Sequence, residues 1–217
     1  MEILLIFLAA LQAYLLGSIN FAVIFSKLFA KKDVRDFGSG NAGMTNVLRT
    51  FGVLPGFLTF LFDVLKAYLA CYIGQNIIFE YLAQNYSGRF FVATYGAFFC
   101  GVFCMLGHVF PLFFGFKGGK AVAVSVGIFL VADWRAILIV LCIFIIVLLI
   151  SRIISISSLT ATACMPFCIA FLPRNSGELW VILSLTLIMV AIIYIKHIEN
   201  IKRLIKGEEK TIFGKEK

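Results

Sequence analysis

Long apolar stretches follow one another along almost the whole chain, separated by short polar connections. Seven windows are apolar enough to lie in the hydrocarbon core of a bilayer, where about 20 helical residues make one crossing. Lipid offers no partners for backbone N–H and C=O groups, so helices are the expected form of these windows. They run from Ile3 to Phe29, Val53 to Ile78, Phe90 to Leu106, Ala121 to Ala132, Ala136 to Ile150, Leu159 to Leu172 and Leu179 to Ile195.

The fourth and fifth windows form one stretch of thirty residues, interrupted only by Asp133-Trp134-Arg135. A single helix of that length would be about 45 Å long, whereas two helices would each be short for a core of about 30 Å. Charge favours the split. A turn at the tripeptide places fifteen of the nineteen basic residues on one side of the membrane, against Arg89, Arg135 and Arg174 on the other, with Lys66 inside a span.

Cytoplasmic loops carry an excess of Lys and Arg. We therefore predict an all-α integral membrane protein with a seven-helix bundle, the amino terminus outside and the carboxyl terminus in the cytoplasm. No repeat or long linker interrupts the chain, so we expect a single membrane-embedded domain over residues 1–217.

The composition agrees with a membrane protein. Of the 217 residues, 62% are apolar and 24 are Phe, and the mean hydropathy is +1.03, more than a soluble core of this size requires. The first window follows Glu2 rather than basic residues and lacks a small-residue cleavage site, so we expect a retained span instead of a removable signal peptide. The net charge of +8 is typical of cytoplasmic loops, and we expect no nucleic-acid partner.

The six cysteines all lie inside apolar windows. They are typical of small buried hydrophobic residues rather than of disulfides or metal ligands. We expect no metal site, and the chain carries no motif for a cofactor.

Three polar segments lie on the predicted cytoplasmic side, and the first covers residues 31–52. Its Gly38-x-Gly40-x-x-Gly43 matches the dinucleotide fingerprint, but that motif needs a preceding strand, so a Rossmann site is excluded. The glycines still allow backbone N–H groups to approach an anion, and a helix beginning near Val47 would add its dipole. Further polar groups come from Ser39, Asn41, Thr45, Asn46 and Arg49.

The second polar segment covers residues 107–120 and ends in Lys117-Gly118-Gly119-Lys120. Ala121 stands where a P-loop needs Ser or Thr, so a nucleoside triphosphatase is excluded. Two lysines and two glycines before an apolar helix nevertheless predict a second anion site. His108 has two open roles, orienting this segment or taking part in the chemistry.

The third polar segment begins at Lys196. His197 and Asn200 are three residues apart and are expected to share a helix face at the end of the last window. Glu199 is expected to pair with a neighbouring Lys or Arg. In the second window, Asp63 and Lys66 are also three apart, and we expect them to neutralise each other inside the bundle and support the site.

These segments together resemble the bacterial glycerol-3-phosphate acyltransferases that use acyl phosphate, the PlsY family. The resemblance covers nearly the whole chain. It rests on Gly17-Ser-Ile19, Asp33-Val-Arg35, Gly38-Ser-Gly-Asn41, Thr45-Asn-Val-Leu-Arg49, Asp63-Val-Leu-Lys66, Gly107-His-Val-Phe-Pro111, Phe116-Lys-Gly-Gly-Lys120 and His197-Ile-Glu-Asn-Ile-Lys-Arg203.

The resemblance implies a membrane enzyme of the bacterial inner membrane with its active site facing the cytoplasm. The implied reaction transfers a fatty acyl group from acyl phosphate to the 1-hydroxyl of sn-glycerol 3-phosphate, forming lysophosphatidic acid and phosphate in the first acylation of phospholipid biosynthesis. It implies catalytic roles for Ser39, His197 and Asn200. The implied phosphate-binding residues are Gly38, Gly40, Asn41, Thr45, Asn46, Arg49, Lys117, Gly118, Gly119 and Lys120, with Asp63, Lys66 and His108 in support.

Two alternatives for the proton stay open. His197 is a candidate general base by residue type, while the phosphate of the donor can itself take the proton of the attacking hydroxyl. An acyl-enzyme on Ser39 is disfavoured, because no Asp-supported base is recognisable beside it. The alternative function is a transporter or channel for phosphorylated solutes, against which stand the gathering of polar segments on one side and the lack of an inverted repeat.

Overall fold

The computed structural model describes residues 1–86, 91–173 and 176–211. These ranges are helical and contain no β-strand, which confirms the predicted all-α class of an integral membrane protein. Arg89, Phe90 and Arg174 lie outside the described residues, as do Lys215 and Lys217, which belong to the fifteen basic residues counted above.

The chain divides into two compact units, Met1–Ala132 and Asp133–Lys217. A single domain over the whole chain stays a prediction. The first unit contains α1 (Glu2–Gly17), α2 (Phe21–Ala30), α3 (Met44–Phe51), α4 (Val53–Ile73), α5 (Glu80–Asn85), α6 (Ala93–Val109) and α7 (Val122–Ala132). A π-helical turn, Gly74–Phe79, continues α4 into α5, and short 3-10 turns occupy Val34–Asp36 and Leu112–Phe114.

The first apolar window is broken near its middle, a feature that the hydrophobic pattern does not reveal. The helix stops after Gly17, and Asn20 begins α2 by accepting a hydrogen bond from the backbone N–H of Val23 at 3.1 Å. The break leaves the carbonyl of Ile19 available inside the unit. Lys66 of α4 donates to that carbonyl at 2.6 Å, so a buried side chain stabilises the interrupted helix.

Helix α1 packs closely along α6, with glycines where the two backbones meet. A Cβ on Gly17 would collide with the carbonyl of Cys104, and one on Gly107 would collide with the carbonyl of Tyr14. Small residues of this kind let membrane helices approach each other. Gly107 therefore anchors the start of the second polar segment against α1.

The second unit contains α8 (Trp134–Ser151), α9 (Ile154–Phe171), α10 (Ser176–Lys196) and α11 (Ile198–Ile205). Asp133 separates α7 from α8 and caps α8 by accepting from the backbone N–H of Arg135 at 3.1 Å. The predicted split of the thirty-residue stretch is thus confirmed. Within the unit, α9 packs against both α8 and α10.

Six helical segments among the described residues are long and apolar enough to cross a membrane. They are Glu2–Ala30, Val53–Asn85, Ala93–Phe114, Trp134–Ser151, Ile154–Phe171 and Gly177–Lys196. The fourth window forms α7, which is apolar but has only 11 residues. Seven crossings and the orientation of the termini stay predictions.

The carboxyl-terminal part of the second unit folds back on itself at Glu209. One carboxylate oxygen of Glu209 accepts from Asn200 Nδ2 at 2.6 Å and from Ser155 Oγ at 2.9 Å, and the other accepts from Arg203 Nε at 2.7 Å. The side chain is 9% exposed. Burial raises the pKa of Glu209, but the hydrogen bonds from Asn200, Arg203 and Ser155 outweigh it and hold this pKa below its usual value.

Replacing Glu209 with Gln should destabilise the second unit. The amide would point N–H groups at donors that now meet carboxylate oxygens, and a buried polar group without a partner costs about 1 to 3 kcal/mol. We expect Glu209→Gln to lower the melting temperature of the purified protein in detergent at pH 7.

The neighbouring Glu208 is exposed and supplies the matched control, because Glu208→Gln makes the same chemical change without burial. The stabilisation by Glu209 is present above the ordinary pKa of about 4.5, and it is lost as pH falls through the lowered folded value. Equal melting temperatures of the two variants at pH 7, or a difference that grows on acidification, would contradict this account.

Candidate functional site

The first polar segment folds around the side chain of Asn46, which is 3% exposed. Asn46 Oδ1 accepts from the backbone N–H of Ser39 at 3.0 Å, and Nδ2 donates to the carbonyls of Val34 at 3.1 Å and Phe37 at 2.9 Å. All of these bonds serve the loop itself. In this conformation Asn46 shapes the loop from within, and a phosphate contact by its amide stays a prediction.

Glycines are needed where the first segment turns. Gly38 has φ +61° and a Cβ there would collide with Asn46 Oδ1, while Gly40 has φ +68°. The Gly40 amide donates to the carbonyl of Phe37 at 3.0 Å, and that of Ser39 is held by Asn46. These two amides are thus occupied, so the fingerprint glycines serve the turn rather than an open ring of N–H donors.

Helix α3 begins at Met44 with Gly43 at its cap, earlier than the predicted start near Val47. That prediction was wrong because the first turn of the helix contains the polar residues Thr45 and Asn46, which local sequence does not distinguish from a loop. The helix carries Arg49 on its exposed surface, where the guanidinium makes no hydrogen bond or ion pair with the described residues. Among the other predicted residues of this segment, Ser39 is exposed, and Asn41 and Thr45 are partly buried.

The second segment is held against the end of α6 by its own glycines. The amide of Gly118 donates to the carbonyl of Val109, and that of Gly119 donates to the carbonyl of His108, each at 3.2 Å. We expected these amides to meet phosphate, and in this conformation they pair with the backbone instead. Of the flanking lysines, Lys117 is exposed and has no partner among the described residues, whereas Lys120 is partly buried.

The first two segments touch each other in the first unit. Gly119 lies between the carbonyl oxygen of Ala42 and the His108 ring, so closely that a Cβ would collide with His108 Nε2 and come within 2.7 Å of the Ala42 oxygen. Farther along, Arg35 Nη1 donates to the carbonyl of Phe114 at 2.6 Å. The first and second polar segments, each of which we predict to bind an anion, are thus in contact.

Arg35 and Asp33 were quoted in the family pattern but not predicted as site residues. Arg35 donates to both carboxylate oxygens of Asp33, at 3.0 and 2.9 Å. The Arg35 hydrogen bonds lower the pKa of Asp33 to about 2, although burial opposes the shift, and the same bonds raise the pKa of Arg35. The spacing Asp33-Val-Arg35 was the available signal, because such a pair can form a forked ion pair.

A groove of about 800 Å³ opens along this junction. It is lined by the cations of Lys27, Arg35 and Lys117 and by the carboxylates of Asp33 and Asp36. Since Asp33 is paired with Arg35 and also lies 3.4 Å from Lys27, the groove retains a positive balance that suits an anionic ligand. No group of three His, Cys, Asp or Glu side chains suited to a metal occurs among the described residues.

The expected pair of Asp63 and Lys66 is present beneath these loops. Asp63 Oδ1 lies 2.6 Å from Lys66 Nζ, with both side chains at most 3% exposed. The contact is a buried ion pair. Lys66 Nζ is also 3.1 Å from Nδ1 of His108, which is itself buried.

In the second unit His197 and Asn200 are both buried, but they do not belong to one helix. Helix α10 ends at Lys196 and α11 begins at Ile198, with His197 at the break. His197 caps α11, and its carbonyl accepts from the backbone N–H of Ile201 at 2.8 Å, so the expected three-residue spacing lies at the start of α11 and not within the last long helix. Asn200 Nδ2 is held by Glu209, and Glu199 pairs with Lys202 at 2.8 Å, as expected.

The contact of His197 with the preceding helix shows which ring nitrogen carries a hydrogen. Nδ1 is 2.8 Å from the carbonyl of Ile193, which can only accept a hydrogen bond. Nδ1 therefore carries a hydrogen, and in the neutral ring Nε2 carries the lone pair. The ring is thus prepared to accept a proton or a hydrogen bond at Nε2.

Comparisons with known proteins cover almost the whole chain. The family profile "Glycerol-3-phosphate acyltransferase" matches residues 7–207. Glycerol-3-phosphate acyltransferase 2 of Bacillus anthracis is 36% identical over 205 residues, covering 94% of this chain and 98% of the relative. Glycerol-3-phosphate acyltransferase of Francisella philomiragia is 40% identical over 205 residues, covering 94% and 92%.

Two crystal structures of PlsY (YgiH), an integral membrane glycerol 3-phosphate acyltransferase, also match this fold at 33% identity. The glycerol 3-phosphate form has a TM-score of 0.81 and the match covers 96% of both chains. The lysophosphatidic acid form has a TM-score of 0.78, with 96% of this chain and 95% of the other covered. The chain therefore belongs to the glycerol-3-phosphate acyltransferase family that includes PlsY, and it is an acyltransferase.

Proposed function

We propose that this enzyme transfers a fatty acyl group from acyl phosphate to the 1-hydroxyl of sn-glycerol 3-phosphate, releasing lysophosphatidic acid and phosphate. The carrying observation is the match over 96% of this chain to both the glycerol 3-phosphate form and the lysophosphatidic acid form of PlsY. The acyl phosphate donor rests on the sequence resemblance. With acyl phosphate as the donor, both substrates carry phosphate, and a site with several exposed cations suits two such anions.

The proposed setting is the bacterial inner membrane, with seven crossings and the active site facing the cytoplasm. The distribution of Lys and Arg supports this orientation. The contact between the first and second polar segments within the first unit supports a common side for both. The acyl chain of the donor would stay in the lipid while glycerol 3-phosphate arrives from water.

Arg49, Lys117 and Lys120 are proposed to hold phosphate oxygens, with Arg49 offering a planar fork for two of them. Ser39, Asn200 and His197 are proposed to position the acceptor. Since the amides of Ser39, Gly40, Gly118 and Gly119 are occupied, side chains supply most of the binding. Gly38, Asn41 and Thr45 would then complete the first segment around the ligand.

In the proposed reaction the 1-hydroxyl oxygen forms an ester bond to the acyl carbonyl carbon. The bond from that carbon to the phosphate oxygen breaks, and phosphate leaves. The hydroxyl proton passes to a phosphate oxygen, whose second pKa is about 6 in phosphate esters. His197 orients the acceptor through Nε2 without taking this proton.

The donor is tested with purified protein in detergent, by measuring phosphate release and lysophosphatidic acid formation. We expect acyl phosphate and glycerol 3-phosphate together to give both products in equal amounts. Acyl-CoA and acyl carrier protein thioesters are the controls and should be inactive. Product from a thioester, with none from acyl phosphate, would refute the proposed donor.

Removal of a phosphate-binding cation should weaken catalysis strongly. A charge-assisted hydrogen bond contributes about 1.5 to 3 kcal/mol, so Arg49→Ala and Lys120→Ala should each lower kcat/KM by a factor of about 10 to 150. Lys206→Ala removes an exposed cation that is not among the proposed site residues and should match the wild type. Wild-type kcat/KM in Arg49→Ala or Lys120→Ala would remove that residue from the site.

Replacement of His197 distinguishes orientation from proton transfer. If His197 orients the hydroxyl, His197→Ala should raise KM for glycerol 3-phosphate and lower kcat by less than the 10²- to 10⁴-fold typical of general base removal. A kcat loss of about that size at unchanged KM would instead assign the proton to His197. Initial rates over a range of glycerol 3-phosphate concentrations decide between the two.

A further inference from the structure

The buried ion pair below the first two polar segments sits against a histidine. Counted over the whole residue, Asp63 and Lys66 are 1% and 5% exposed, and His108 is 3% exposed. An isolated charge in such a place is costly, so the carboxylate of Asp63, 2.6 Å from Nζ, requires the ammonium form of Lys66. The Ile19 carbonyl, 2.6 Å from the same Nζ, takes one of its hydrogens.

The ammonium determines which nitrogen of His108 carries hydrogen. Nδ1 lies 3.1 Å from Lys66 Nζ, and an ammonium has no lone pair, so it can only donate to Nδ1. Asp63 Oδ1 is 3.6 Å from Nδ1, beyond hydrogen-bond distance, and therefore takes no Nδ1 proton. His108 is consequently neutral, with its hydrogen on Nε2.

Nε2 is on the side of the ring that faces the two polar segments. Gly119 is packed against Nε2, and the carbonyl oxygen of Ala42 flanks the same glycine. A donor at Nε2 can thus join Ala42 of the first segment to the end of α6, from which the second segment departs. Helix α6 and the loop before α3 are far apart in the sequence.

We propose that Lys66 locks His108 in the Nε2–H tautomer so that His108 donates to the Ala42 carbonyl and holds the first and second polar segments in register. His108 is then a positioning residue, and Lys66 acts through it. The two histidines of the chain hold opposite tautomers: His108 is protonated at Nε2, and His197 is protonated at Nδ1. The tautomer follows from the buried geometry alone, whereas the positioning role rests on the proposed function.

The tautomer is tested directly by 15N spectroscopy of the full protein labelled at histidine, at pH 7. The spectrum contains two rings, and the His197→Gln variant identifies the His108 signals. We expect a protonated Nε2 and an unprotonated Nδ1 for His108. A protonated Nδ1, alone or together with Nε2, would overturn the proposal.

The role of Lys66 is tested with the double variant Asp63→Leu/Lys66→Met. Because a buried ion pair can often be replaced by apolar residues of similar volume without loss of folding, this variant is preferred to the single Lys66→Met. We expect the His108 signals to move towards the Nδ1–H form once the ammonium is gone. An unchanged His108 tautomer in the folded double variant would overturn the lock.

The positioning role is tested with two amides in place of His108. Gln can place an N–H donor near the position of Nε2, whereas Asn reaches only as far as Nδ1. We expect His108→Asn to raise KM for glycerol 3-phosphate by roughly 2- to 10-fold relative to His108→Gln, the effect of one hydrogen bond. Equal KM values at matched melting temperatures would overturn the role. Wild-type protein with the expected tautomer but without acyl transfer would contradict the proposed function alone.

Discussion

The structure of the first unit depends on a single ammonium group buried where a membrane helix is interrupted. Backbone carbonyls freed by a break cannot turn to water inside a bilayer, so a break is tolerated only where another group satisfies them. Lys66 does this for Ile19, and Asp63 neutralises the charge that this requires. Ile19 lies between α1 and α2, Lys66 belongs to α4 and His108 belongs to α6. The contacts of Lys66 therefore bring these four helices together.

The polar segments above this point have a common design. The residues predicted to bind anions fall into two groups. One group forms hydrogen bonds that hold the loops, and the other consists of exposed cations. Asn46 and the glycine amides belong to the first group, whereas the exposed Arg49 and Lys117 belong to the second. Loops held by their own hydrogen bonds need less reorganisation when a ligand binds, which favours charge presented at fixed positions.

Hydrophobic periodicity and local spacing predicted much of this arrangement. The split at Asp133, the pair of Asp63 and Lys66 and the all-α class follow from short-range patterns, and the family follows from the order of motifs. Other features depend on partners distant in sequence. The inward amide of Asn46, the break before Asn20 and the return of Glu209 to Asn200 and Ser155 are satisfied by groups that no local pattern identifies.

The interrupted first helix has a consequence for biogenesis. Synthesis proceeds from the amino terminus, so Ile19 enters the membrane before Lys66, which is 47 residues farther along. Until α4 arrives, the Ile19 carbonyl must be satisfied by water or by the insertion machinery. The nascent amino-terminal segment therefore reaches its final bonding only after the second long apolar segment, which carries Lys66, has joined it, so these two segments complete their bonding together.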